Sequence, residues 1–370
     1  MIDRIFITAT SQHIGKTTTT LGLIALLKKA DINVGFCKPV GQTFVEYEGT
    51  KVDKDAYLFS QMLGFELDPN LHSPVVLAPG VTTAFLRNPT AFPFRERIQR
   101  AAAILQERHE VVVYEGTGHA GVGSIVDLSN AEVASMLNAS VVMVVEAGLG
   151  DTIDRMNANL ALFREKKVNV LGVIINKVRP EKMDFIREML NIKLTQMGIP
   201  LLGLLPYDRS MSFPIMETIL KAINGKVVLH PEHLDNKVEY IISGSLVERQ
   251  EFDEFEELKD MLLIVNYRRL DRSIEKIIEF SQKHHLEKCP FSGIVINGEG
   301  DFVPHFLSVF KNKAYIEANQ IPIISTNLDT YGSAVRINKI EVKINTKTPW
   351  KVNRAVELIE ENVDWRGLFK

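Results

Sequence analysis

Six short apolar runs, each separated from the next by a stretch long enough for a helix, constrain this chain more than any other feature. They occupy residues 5–9, 34–38, 111–114, 141–145, 170–175 and 201–205. Each is too short for a helix and almost wholly apolar, which predicts strands buried on both faces in a parallel sheet covered by helices. Residues 17–29 place Leu21, Ile24, Ala25 and Leu27 at helical spacing and end in Lys28-Lys29, a pair suited to a helix C-terminus. Residues 183–196 repeat the pattern with Phe185, Met189 and Leu194. The alternation predicts a doubly wound α/β domain over residues 1–210.

After Pro206-Tyr207 a second series begins. A helix is expected over 212–224, closed by Gly225, and strands over 227–229, 241–243, 261–265, 293–297 and 322–325. Residues 271–285 and 349–362 read as helices, so 212–370 is expected to form a second, smaller α/β domain. The acidic run 248–257 reads as a solvated loop or helix face. A chain of 370 residues exceeds the roughly 150 of a single domain, which agrees with the division.

Charge and cysteine content narrow the function. With 43 Lys+Arg against 46 Asp+Glu the net charge is −3, and no basic face of the kind nucleic acids require is foreseen. Cys37 and Cys289 are the only cysteines, so no disulfide framework is expected and a reducing compartment is favoured. No apolar run approaches the ~18 residues of a membrane span, and residues 1–9 lack the features of a secretory signal. The expectation is a cytoplasmic protein without nucleic-acid or membrane partners.

The strongest local signal is Thr8-Ala9-Thr10-Ser11-Gln12-His13-Ile14-Gly15-Lys16-Thr17, between an expected strand and an expected helix. In that setting backbone N–H groups face phosphate oxygens and the helix N-terminus favours negative charge. Lys16 would neutralise phosphates and the Thr17 hydroxyl would hold Mg²⁺. Thr10 stands where the strict motif has glycine. Other residues join the loop at expected strand ends: Lys38 in Cys37-Lys38-Pro39, Glu115-Gly116 in Tyr114-Glu115-Gly116-Thr117-Gly118, and Asp55 in Asp53-Lys54-Asp55-Ala56. Glu115 and Asp55 are candidate metal carboxylates. Singly each has a plainer reading: Lys38 a surface charge, Glu115 a strand-end cap, Asp55 a helix-start residue.

Together these residues resemble the dethiobiotin synthetase-like branch of P-loop ATPases. Lys38-Pro39-Val40, Asp55-Ala56, Glu115-Gly116 and Asn176-Lys177 follow the loop in that branch's order. With Ser129-Asn130-Ala131-Glu132-Val133-Ala134, the chain is also similar to the N-terminal region of long bacterial phosphotransacetylases. Leu270-Asp271-Arg272-Ser273, Gly293 to Gly298 and Asp329-Thr330-Tyr331 resemble the DRTGG domain that follows in those enzymes.

The resemblance implies a P-loop NTPase fold with ATP and Mg²⁺ as cofactors. It implies that Thr10, Ile14, Gly15, Lys16, Thr17 and Thr18 contact nucleotide together with Glu115 and Gly116. Thr17, Asp55 and Glu115 would bind the metal, and Lys16 and Lys38 would act in catalysis. Asn176 would read the adenine edge, for which an amide offers both donor and acceptor, with Pro206-Tyr207 lining the base pocket. A homodimer with the P-loop near the interface is also implied.

Ser11 and His13 stand where dethiobiotin synthetases carry acidic residues that handle a diamine, so a diamino-acid substrate is not expected. Nor is acetyl transfer, because the chain stops at Lys370 without room for a phosphotransacetylase catalytic domain. Two functions are therefore expected as alternatives: phosphoryl transfer from ATP to a carboxylate-type small molecule, or an ATP-sensing module acting through the DRTGG-like domain or a partner.

Overall fold

The computed structural model describes residues 2–247, 259–286, 288–298 and 310–369, and the acidic run 248–257 lies outside them. The chain divides into one unit of Met1–Asp208 with Ile344–Lys370 and another of Arg209–Lys343.

The first unit is built on a sheet of β1 (Arg4–Ala9), β2 (Val34–Cys37), β3 (Val111–Glu115), β4 (Ser140–Glu146), β5 (Val170–Val178) and β6 (Leu201–Pro206). The order is β6-β5-β4-β1-β3-β2 and every pair is parallel. All six expected strands are present, and their apolar runs are buried because helices cover both faces. β1 lies between β3 and β4: from β1 the chain crosses to the edge strand β2, returns to β3 beside β1, and then runs outward on the other side through β4, β5 and β6. The crevice at the carboxyl end of β1 is the switch point where such sheets hold ligands.

Helix α1 (Lys16–Lys29) leaves β1 through the threonine-rich loop and is buried almost all round, from Thr19 to Leu27. A second helix accounts for this. The segment Pro349–Asn362 lies along α1, and a methyl on Gly22 would come 2.8 Å from the Ala355 carbonyl oxygen. Lys29 pairs with Glu360 at 2.8 Å and the Asp364 amide donates to Leu202 O at 2.8 Å. The helix expected over 349–362 is thus present with those bounds, but it belongs to the first unit and not to a domain of 212–370.

The second unit holds a sheet of β7 (Lys226–Leu229), β8 (Tyr240–Ser243), β9 (Met261–Asn266), β10 (Phe291–Asn297) and β11 (Ile323–Thr326), ordered β7-β11-β10-β9-β8. Only β7 runs antiparallel to its neighbour. Ile274 and Ile277 of helix Leu270–Lys283 cover one side of it. The helix expected over 212–224 is shorter, Met216–Ala222. Pro214 has no N–H to give a helix, and Ile215 is extended at φ −104, ψ 161. Among the described residues no helix is long and apolar enough to cross a membrane.

Candidate functional site

The loop between β1 and α1 is shaped from behind by the carboxyl ends of its neighbours. The Thr10 amide donates to Val144 O at 3.3 Å, and Asn159 Nδ2 to Thr10 O at 3.4 Å. At the end of β5, Asn176 Nδ2 donates to Ile14 O at 2.7 Å and Lys177 Nζ to His13 O at 2.9 Å. Gly15 turns the chain into α1 with φ 94, and a side chain there would collide with Asn176 Nδ2. No side chain caps α1, so its first N–H groups are not taken by a capping residue. Ile14 is buried, Lys16, Thr17 and Thr18 are half-buried, and His13 is exposed.

Two strand ends supply the charges in front of that loop. Lys38 follows β2, fixed by its amide to His72 O at 2.9 Å. Its ammonium, 3% exposed, lies 2.8 Å from Asp55 Oδ2 and 2.7 Å from Glu115 Oε1. Glu115 ends β3 and is fully buried; Oε1 also accepts from Thr17 Oγ1 at 3.2 Å, while Oε2 has no partner among the described residues. Asp55 opens helix Lys54–Leu63, where Asp53 accepts from its amide at 2.9 Å. Lys16, Thr17, Lys38, Asp55 and Glu115 thus form one contiguous cluster.

Its electrostatics follow from burial and charge. Burial, reinforced by Lys38, pushes Lys16 down to about 8. Burial opposes the charge of Lys38 as well, but Glu115, Asp55 and Asp53 outweigh it and hold the ammonium above the ordinary lysine range. Asp55 is desolvated yet sits below the usual carboxylate value because of Lys38. Burial pushes Asp53 up to about 6, against the pull of Lys38.

The remaining expected residues are more dispersed. Gly116 packs beside Asn130 and Phe6 at the head of a loop held by Asn130, whose Nδ2 donates to Thr117 O at 2.8 Å and His119 O at 2.7 Å. Asn176 has its amide committed to the loop backbone and to the Lys177 N–H. Pro206 and Tyr207 stand at the end of β6, three strands from β1, roughly 14 Å at ordinary strand spacing. Asp53, Asn130, Asn159 and Lys177 shape the site without having been singled out individually by the sequence. The threonine-to-lysine segment signals the loop, but nothing in its spacing identifies which distant amides brace it.

Among the described residues no set of three His, Cys, Asp or Glu is disposed to hold a metal by itself. What converges is two carboxylates and a hydroxyl, and an orphaned buried oxygen on Glu115. That set fits Mg²⁺, which is commonly bound through one or two carboxylates and completed by waters and phosphates.

Residues 3–214 match the AAA domain family model. The chain is 32% identical over 177 residues to the ATP-dependent dethiobiotin synthetase of Methanocaldococcus jannaschii, covering 46% of this chain and 78% of that protein. It is 24% identical over 376 residues to a phosphate acetyltransferase of Nitrosomonas europaea, covering 99% of this chain and 51% of that one. The chain therefore spans about half the length of the phosphate acetyltransferases it matches. A MinC:MinD cell division complex of Aquifex aeolicus overlays 56% of this chain and 82% of its own, with TM-score 0.38 and 14% identity.

Proposed function

Because the chain belongs through residues 3–214 to the AAA domain family, as a P-loop ATPase-like relative of ATP-dependent dethiobiotin synthetases, we propose that it binds Mg²⁺-ATP and transfers a phosphoryl group to a carboxylate-type small molecule. The observation that carries this is the placement of the Lys38 ammonium between Asp55 and Glu115, beside Thr17 and the start of α1. Thr17, Asp55 and Glu115 would hold Mg²⁺, with the unpartnered Glu115 Oε2 as one donor. When bound, Mg²⁺-ATP supplies the phosphoryl group: its bond to the β-phosphate oxygen breaks, and one forms to the substrate carboxylate oxygen.

The chain's own groups do the rest. The amides of Gly15, Lys16, Thr17 and Thr18 donate to phosphate oxygens, with Thr10 and Ile14 shaping the loop around them. Lys16 supplies one positive charge, and contact with phosphate returns to it the proton affinity that burial removes. Lys38 supplies a second, fixed charge, in place to neutralise negative charge developing during transfer. Gly116 lets backbone approach the phosphates, and Asn176 with Pro206 and Tyr207 lies on the side of the sheet assigned to the base. We further assign the chain to the cytoplasm, as a homodimer, and its second unit to the DRTGG-like class.

Phosphate release from Mg²⁺-ATP, measured with fractions of a small-molecule extract, tests the reading. One fraction should stimulate release, and Lys16→Ala should lower that stimulated rate by about 100-fold or more. Absence of stimulation in every fraction would sink it. The whole-chain likeness to half of a phosphate acetyltransferase supports a second reading, ATP sensing. In that case ATP should change hydrogen exchange in residues 209–343 without turnover.

A further inference from the structure

A cleft of about 760 Å³ opens in the first unit beside the amino end of β2, and the nucleotide proposal makes no use of it. Because the strands are parallel, that end of the sheet is the one away from the phosphate loop. Ile24 and Lys28 bring the last turns of α1 to the cleft, and Lys28 stands about 18 Å along that helix from Lys16. Every residue lining it lies between 24 and 109, within the first unit. β2 is the last strand of its sheet, so its outer edge faces the cleft with no partner strand among the described residues.

Its walls are apolar and aromatic. Phe36, Phe65, Leu67, Leu71 and Leu105 line it, with the Phe36 and Phe65 rings 6.5 Å apart and the Phe65 ring 4.7 Å from the imidazole of His72. At the rim the exposed Lys28 and Arg108 stand against the exposed Asp31 and Glu66, so neither sign of charge prevails, and Asp68 turns its carboxylate to the Asn70 amide at 2.8 Å. Two imidazoles supply the polar contacts, and their hydrogen bonds set their tautomers. His72 is 9% exposed, and the Asp68 N–H points at its Nδ1 at 2.9 Å. The Asp68 carbonyl, 3.1 Å from the same atom, already accepts from the Leu71 and His72 amides. The ring proton of His72 therefore sits on Nε2, which has no partner among the described residues. His109 is fixed the other way. Asn33 Nδ2 donates to Arg108 O at 2.8 Å, which turns Asn33 Oδ1 to His109 Nδ1 at 2.7 Å. Nδ1 of His109 then carries the proton, and Nε2 presents a lone pair. The same ring lies against the bare backbone of Gly35, with Cδ2 and Nε2 at 2.5 and 3.2 Å from where a methyl would stand. Burial, reinforced by Arg108, holds both imidazoles below the ordinary histidine value, so both are neutral at pH 7.

We infer that the cleft is a second ligand site for an uncharged heteroaromatic molecule bearing an amide edge, whose carbonyl accepts from His72 Nε2 and whose N–H donates to His109 Nε2. Phe36 and Phe65 supply faces against which such a ring packs. A volume of this size, mostly apolar with a few placed polar groups, suits a metabolite-sized ligand. A charged ligand would find no net counter-charge there, because the rim is balanced. The inference does not depend on the nucleotide reading of the phosphate loop.

The test uses the full chain. Nicotinamide and, separately, uracil are titrated by calorimetry, with hydrogen exchange locating any binding. Neither probe carries the phosphates that the loop of residues 8–17 would hold. Saturable binding of at least one is expected, with slowed exchange in residues 32–36 and 65–72. Which probe binds tells a pendant carboxamide from an amide within the ring. Toluene, a ring without the amide edge, and nicotinate, with a charge in the amide's place, should each bind roughly tenfold or more weakly than the better probe. His72→Phe, which keeps a ring at that position and removes the Nε2–H, should weaken binding by roughly tenfold. If that variant does not fold, the parent chain decides alone: the ring-nitrogen NMR signals of His72 and His109 should shift along one saturation curve. Binding of neither probe, protection confined to residues 8–18, equal affinity for toluene or nicotinate, undiminished affinity in His72→Phe, or unmoved histidine signals would overturn the inference.

Discussion

Removing Lys38 while leaving Glu115 and Asp55 in place strands two carboxylates against one another in a buried site. Glu115 is fully buried and Asp55 29% exposed, so the cost falls mainly on Glu115, with water screening part of the other. Lys38→Met should lower unfolding free energy by about 3–5 kcal/mol, and Lys38→Met/Glu115→Gln should recover part of it. Urea midpoints at neutral pH check this; an unchanged midpoint in the single variant would mean that the pair is not buried as described. Asp53 gives a pH signature of the opposite kind. Between the ordinary 3.8 and about 6 the folded chain keeps a proton on Asp53 that the unfolded chain has released, so this carboxyl's contribution falls as pH rises. Asp53→Asn retains the cap on the Asp55 amide and removes the titration. It should flatten the stability–pH curve in that window and raise stability at pH 7. Urea midpoints at several pH values decide it, and a variant curve parallel to the parent would refute the assignment.

At the scale of elements, the sequence indicates strands better than it does helix boundaries. All six strands of the first unit are present where β-branched runs occur, because burial between two helical layers forces those runs to be apolar. The helix expected over 212–224 is cut to Met216–Ala222 by Pro214, a residue whose effect outweighs the apolar spacing around it. α1 shows how a close neighbour overrides intrinsic preference. Alanine favours a helix over glycine by about 1 kcal/mol, yet at position 22 a methyl would meet the Ala355 backbone at 2.8 and 3.0 Å. Gly22→Ala should therefore destabilise by about 1–3 kcal/mol, whereas Gly150→Ala, with nothing within 4 Å, should be neutral or stabilising. Thermal melts of the two variants provide the comparison, and a matching rise in both would contradict the packing of α1.

For the molecule as a whole, residues 344–370 belong to a unit whose other residues all precede Arg209. Deleting them should uncover the outer face of α1, speed amide exchange across Lys16–Lys29 and lower the first unit's melting temperature. Unaltered exchange in α1 would show that the segment is dispensable. The return was not visible in the sequence, because a helix's apolar stripe states that it is covered and not by what. The same distinction runs through the site. The loop from Thr8 to Thr17, Lys38, Asp55 and Glu115 were legible as candidates because these are the side chains that a phosphate and metal site would draw on at strand ends. The bracing of the loop by Asn176 and Lys177, and the orphaned oxygen of Glu115, were not. By itself the sequence determined the layered α/β architecture and the position of the phosphate loop, since both rest on local periodicity and spacing. Only the tertiary structure decided which residues, as far as 331 positions apart, share hydrogen bonds and which share burial. Those follow from the order of the strands, which no local pattern encodes.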